Sequence, residues 1–220
     1  MSKSQKYCMK NILITLILGI VMPSCSTPKT VEVKTRYFDE NNLEITEAKF
    51  NQIRSTHKFL EIPGDSIHHK KLTQRGQRGQ IDNRPALELA LEQATQTSIE
   101  ADKPIVILYY PGDDPCYSSS SLNIKLIKTW HDELQKGVYE MVKVKPIYIY
   151  KNDKGLKKIL KLVDGKKDPN GIIEKLFFKY HYPCISFVVI SKDGQFVSYF
   201  GEFGKEYVWG ALKLLNEEVK

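Results

Sequence analysis

The run PIVILYYPGDDPCYSSSS, residues 104–121, decides how the chain is built. Ile105 to Tyr110 are six apolar or aromatic residues in a row with no polar alternation, which predicts a strand buried on both faces. Pro111, Gly112, Asp113, Asp114 and Pro115 follow as a turn, and one cysteine, Cys116, stands where a helix should begin. Helical spacing then returns through Leu122, Ile124, Leu126, Ile127, Trp130 and Leu134. A buried strand thus delivers a cysteine to the place where a helix should begin.

Outward from this run the pattern stays regular. Upstream, Asn83 is placed to cap a helix with Pro85 in its first turn, and Leu87, Ala90, Leu91 and Ala94 form the apolar stripe. Downstream, residues 142–150, VKVKPIYIY, read as a strand in which Pro146 favours an edge or the strand's beginning. Residues 151–170 are charged and glycine-containing, with a short helix at 156–162, and a further helix spans 172–180 with Ile173, Leu176 and Phe177. Residues 184–191 and 195–200 flank the turn Lys192-Asp193-Gly194 as a β-hairpin, and a last helix at 205–215 presents Val208, Leu212 and Leu215. Strand, crossover helix and strand predict a parallel pair, to which the hairpin adds an antiparallel edge. The expected class is α/β, a three-layer sandwich with a mixed central sheet and helices on both faces.

Residues 36–82 are harder to read and are taken as an N-terminal extension of the domain at 83–220. Two short strands surround Asn41-Asn42, a helix opens at Thr46 with Phe50 and Ile53 inward, and residues 59–65 form a strand. Residues 68–78, HHKKLTQRGQR, are basic; they read either as a site for anionic groups or as a solvated strand and glycine-rich loop. His68 and His69 are adjacent and face opposite sides of a strand, so they do not share a metal.

Residues 1–24 have a positive start at Lys3, Lys6 and Lys10, an apolar core at 12–22 too short for a usual membrane span, and then Met22-Pro23-Ser24-Cys25. This resembles the lipobox of bacterial lipoproteins, although Met22 and Pro23 depart from its commonest residues. The resemblance implies cleavage before Cys25, lipidation of Cys25, and a tether at 25–35. An ordinary secretory peptide or an uncleaved anchor is the alternative. On this reading the partner is a membrane reached through lipid on Cys25, in the bacterial cell envelope. No acidic cluster follows Cys25, which favours a periplasmic face.

The formal charge of +7 loses three lysines with such a peptide, leaving +4. That is too weak and scattered for a nucleic-acid partner. Of the four cysteines, Cys8 leaves and Cys25 carries lipid, so Cys116 and Cys184 remain in an oxidising compartment.

With these residues in view, the domain at 83–220 resembles the thioredoxin-like superfamily, without its Cys-x-x-Cys pair. Gly112-Asp113-Asp114-Pro115-Cys116 matches the family's active-site corner if Cys116 takes the place of the second, resolving cysteine and Asp113 that of the attacking one. Tyr182-Pro183-Cys184 is similar to the family's cis-proline loop. The resemblance implies that corner and loop lie together, so that Cys116 and Cys184 are either bridged or both free. It leaves two functions open: a non-catalytic binding or scaffold role with an envelope protein partner, or thiol–disulfide exchange through Cys116 with Cys184 as partner. A rival alignment makes Cys116 the attacking residue of Cys116-Tyr117-Ser118-Ser119. Neither a metal nor a cofactor is expected: Asp113 and Asp114 read as solvated turn acids, His181 as a surface residue near Cys184, and no phosphate loop or serine elbow is present.

Overall fold

A computed structural model of the chain describes residues 34–112, 116, 123–182 and 184–217. Among these, two mixed sheets and six α-helices are formed. The larger sheet has the order β5-β10-β9-β6-β7-β8, built from β5 (Gly76–Gln80), β6 (Ile105–Tyr110), β7 (Ile147–Tyr150), β8 (Lys166–Lys167), β9 (Ser186–Ile190) and β10 (Gln195–Tyr199). β7 runs parallel to β6, whereas β9 runs antiparallel to it, with Tyr109 opposite Ser186.

The unbroken apolar run of β6 is explained by its position. Val106, Leu108 and Tyr110 enter one core with Phe187 and Val189, covered by α3 (Ile124–Val142), α4 (Lys157–Val163) and α6 (Lys205–Glu217). Ile105, Ile107 and Tyr109 enter the other with Val188 and Ile190, covered by α2 (Arg84–Thr95) and α5 (Ile172–Phe177). Side chains alternate across the strand, so helices on both faces leave no solvent face for polar residues. The α/β sandwich expected from the sequence is present at this level.

The smaller sheet has the order β2-β1-β4-β3, from β1 (Arg36–Phe38), β2 (Glu44–Ile45), β3 (Phe59–Pro63) and β4 (His69–Gln74), with α1 (Glu47–Arg54) beside it. Thr46 caps α1 by accepting from the Lys49 amide, and Phe50 is fully buried. Leu60 and Ile62 join the second core. Residues 36–75 therefore contribute apolar surface to the same core as residues 83–220.

Three expectations are revised. The hairpin strand β10 is not the edge, because β5 pairs along its whole length, from Gln195 opposite Gln80 to Tyr199 opposite Gly76. Residues 76–80, which precede Asn83, are thus tied into the larger sheet by strand pairing. Residues 142–146 are not strand: α3 continues to Val142 and ends at Lys143, whose φ of 59° closes the helix in the left-handed region. Pro146 stands directly before the first residue of β7, at the strand's beginning as one of the two expected positions, while β7 itself lies between β6 and β8 and not at an edge. The helix expected over 172–180 stops at Phe177, since Phe178 at φ −129° has left helical geometry.

No described helix is long and apolar enough to cross a membrane. The leader, tether and lipidation residue Cys25 lie outside the described residues.

Candidate functional site

The ladders bring three chain segments to one end of the larger sheet. β6 ends there at Tyr110, β9 begins there at Ser186, and β10 ends there because Tyr199 pairs with Phe187. Cys116 follows the first segment, Cys184 precedes the second, and Glu202 follows the third.

Cys116 and Cys184 are joined as a disulfide, with Cα atoms 5.5 Å apart across 68 residues of sequence. Cys116 is partly exposed and Cys184 is buried. Cys184 has φ 74°, a conformation that costs a non-glycine residue about 1 to 3 kcal/mol and persists only where its surroundings enforce it. A carboxylate oxygen of Glu202 lies within 4.8 Å of both sulfurs.

Each wall of this site has its own anchor. Gly112, at φ 79°, turns the chain after β6, and a side chain there would collide with Asn152. Asn152 Nδ2 donates to the Pro111 carbonyl at 3.3 Å, while the Lys151 amide donates to the Tyr110 carbonyl at 2.9 Å. The end of β7 thereby fixes the corner that leads to Cys116. On the opposite side, the Gly201 amide donates to the buried Ser186 hydroxyl at 2.8 Å. Arg75 Nε donates to the Phe200 carbonyl at 3.1 Å, and its Nη2 donates to the Glu202 carbonyl. The guanidinium also lies 4.6 Å over the Tyr199 ring. Both its backbone groups are used at the junction of the two sheets, donating to Lys58 and accepting from Phe200. The main chain at residues 200–202 is consequently held by Arg75 and by Ser186, although the Glu202 side chain is exposed.

Beneath the corner, the Tyr110 hydroxyl and His131 Nε2 are 3.0 Å apart and both side chains are buried. Edge-on contacts with Trp130 and Tyr148 enclose the imidazole, and its Nδ1 has no hydrogen-bond partner among the described residues. Burial lowers the His131 pKa to about 4, with the Asp132 charge a smaller opposing influence. The ring is neutral at pH 7. Burial likewise raises the Tyr148 hydroxyl, which accepts from Gln135 at 3.2 Å, to about 12.

A groove of about 840 Å³ opens next to Glu202, lined by Phe59, Arg75, Tyr199, Phe203 and Tyr207. A second cavity, about 630 Å³, lies at the far end of the sheet beside Pro104 and Ile147, rimmed by Lys143, Lys145, Lys161 and Lys166.

Of the residues singled out from sequence, Cys116 and Cys184 are brought together, and Tyr182 packs its ring 5.4 Å from Phe200 beside them. Asp113, Asp114, Pro115 and Pro183 lie outside the described residues. His181 is exposed, and the ligand-type atom grouped with the sulfurs belongs to Glu202 instead. In the basic stretch, Lys70 pairs with Glu61 at 3.0 Å and Arg75 is built into the sheet junction. Glu202 was not marked by sequence reasoning. The only local signal is its setting, Gly201-Glu202-Phe203-Gly204, two glycines around an acid just past the last strand.

Comparison with protein-family models, with curated proteins and with solved structures finds no match to this chain.

Proposed function

We propose that the chain is a lipid-anchored protein of the bacterial cell envelope whose thioredoxin-like domain carries out thiol–disulfide exchange through Cys116 and Cys184. The observation that carries this reading is the bridge itself, partly exposed at Cys116 and formed where a central strand ends. A purely structural staple has no need of a partly exposed cysteine at the end of the sheet where loops converge. The thioredoxin-like assignment is supported by the order of elements: β6, Cys116, α3, the parallel β7, then Cys184 before the antiparallel β9-β10 hairpin and α6. The envelope location rests on the sequence of residues 1–25.

In the exchange, a substrate thiolate attacks Cys116 Sγ and the Cys116–Cys184 bond breaks. Its electron pair leaves on Cys184 Sγ, which takes a proton. A second substrate thiolate attacks the mixed disulfide and releases Cys116, which is protonated in turn, so two electrons and two protons pass to the protein while the substrate becomes a disulfide. Because Asp113 stands where a dithiol enzyme has its attacking cysteine, the working pair is Cys116 with Cys184 and not a Cys-x-x-Cys motif.

A binding or scaffold role is the second reading, favoured by the groove beside Glu202. Equilibrating the full-length chain with glutathione buffers separates the two. Exchange predicts a reversible dithiol–disulfide transition and insulin reduction that Cys116→Ser abolishes. A bridge that stays oxidised across the whole glutathione range, with no Cys116-dependent turnover, leaves the scaffold role.

A further inference from the structure

The two sulfurs and the Glu202 carboxylate are three ligand-type atoms within 4.8 Å of one another, and no other described His, Cys, Asp or Glu cluster of three or more reaches this closeness. We infer that, once the bridge is reduced, Cys116, Cys184 and Glu202 form a metal site for zinc, so that the bridge gates metal binding. The inference rests on the preceding reading only in requiring that a thiol can reduce the bridge. It requires no turnover.

The chemistry of the donors selects the ion. Two thiolates and one carboxylate suit a borderline-soft divalent ion with tetrahedral preference, whereas calcium and magnesium take oxygen ligands. Zinc with bonds of about 2.3 Å to sulfur and about 2.0 Å to oxygen separates its ligand atoms by roughly 3.5 to 3.8 Å. The present grouping spans up to 4.8 Å, so the carboxylate must approach by about 1 Å and the sulfurs must part by about 2 Å once their bond is broken. Cys116 and Glu202 are exposed enough to make those adjustments, while Cys184 is fixed in the wall. Arg75 and Ser186 already anchor residues 200–202 beside the cysteines. Glu202 lies on the solvent side, leaving a fourth position for water, as in zinc sites with three protein ligands.

The balance is closed by named reactants. A small dithiol reduces the bridge to two cysteine thiols and becomes a cyclic disulfide; zinc then replaces the two thiol protons, which are released to solvent. In the oxidised protein the sulfurs are bonded to each other and are not thiolate donors, so only Glu202 remains and the site does not form. Zinc should therefore pull the equilibrium towards the dithiol.

The test is an anaerobic zinc titration of the full-length chain carrying Cys8→Ser and Cys25→Ser, so that Cys116 and Cys184 are its only cysteines, against a chromophoric chelator, after reduction and removal of the reductant. Expected are one zinc bound per reduced chain at micromolar or lower concentration, release of two protons, no binding by the oxidised chain, loss of binding in Cys184→Ser, and at least tenfold weaker binding in Glu202→Gln. Thermal unfolding of oxidised Glu202→Gln, unchanged from wild type, establishes that this variant folds. Absence of zinc binding by the reduced chain, equal binding by the oxidised chain, or unchanged affinity in Glu202→Gln would each overturn the inference. The same preparation equilibrated with glutathione keeps the two proposals apart. Exchange without zinc binding removes only the metal site, and zinc binding without exchange removes only the redox reading.

Discussion

His131 supplies a pH-dependent contribution to stability that is large enough to isolate. The imidazole is 3 % exposed and held neutral, with its pKa lowered from 6.5 to about 4 by burial. The unfolded chain therefore binds a proton on this residue at a higher pH than the folded one does. Stability from this group is fully present above pH 6.5 and is lost as the pH falls towards 4. At about 1.4 kcal/mol per unit of difference, the loss is roughly 2 kcal/mol at pH 5 and about 3 kcal/mol at pH 4. His131→Phe removes the titration and also the hydrogen bond to Tyr110, worth about 1 kcal/mol. The variant should be less stable than wild type at pH 7.5 by about that amount, equal to it between pH 5 and 6, and more stable at pH 4 by about 2 kcal/mol. Urea unfolding of both proteins at half-unit pH intervals, oxidised throughout, measures the crossing. The carboxylates titrate alike in the two chains, so they cancel in the difference. Parallel curves between pH 4 and 7 would refute a buried neutral imidazole beneath the corner.

Three further outcomes are expected. Replacing both cysteines by serine, or reducing the bridge, releases the constraint on a 68-residue separation and should lower stability by about 4 kcal/mol, seen as a fall in Tm of roughly 10 °C. Gly112→Ala puts a side chain against Asn152 at φ 79°; it should destabilise the fold by about 2 kcal/mol and slow re-formation of the Cys116–Cys184 bond on reoxidation, measured by thiol trapping. Arg75→Lys should lose about 2 kcal/mol in urea unfolding and nearly match Arg75→Ala, because a compact ammonium lacks the planar fork whose separate nitrogens reach the Phe200 and Glu202 carbonyls while the guanidinium lies on Tyr199.

Much of the larger sheet could be read from residues 83–220 because its elements are locally consistent. Ile105 to Tyr110 has no polar position and is buried at every one; Asn83 caps α2 by accepting from the Ala86 amide at 3.0 Å, as its place before Pro85 predicts. The errors came where tertiary pairing overrides local preference. Gly76–Gln80, GQRGQ, is poor in strand-forming residues and exposed throughout, so nothing in its composition announces a strand. It is held by its backbone ladder to β10. Residues 142–145, VKVK, alternate like a strand, yet Val142 still belongs to the long helix that buries Leu134 and Val138, and the turn at Lys143 uses up the alternation. For the site, cysteine type and compartment marked Cys116 and Cys184, but an exposed glutamate beyond the last strand looks like any other surface acid. Its meaning depends on where the strand before it ends.

That dependence is governed by register. Cys184 meets Cys116 because Ser186 is opposite Tyr109, and Glu202 meets both because Tyr199 is opposite Phe187. A slip of one residue between β6 and β9 moves Cys184 by about 3.3 Å along the strand and turns every β9 side chain to the other core. The Cα separation, now 5.5 Å, would then grow by up to about 3.3 Å and leave the range of about 4.4 to 6.8 Å that a bridge tolerates where the slip carries Cys184 directly away from Cys116. Val188 and Ile190 would exchange cores with Phe187 and Val189, a mismatch of volume on both faces. Packing and bridge therefore select the same register, and the packing acts first, because it is present before any thiol is oxidised. The reduced protein should accordingly keep Cys116, Cys184 and Glu202 adjacent, which is the condition under which either a substrate thiol or a metal ion finds a formed site.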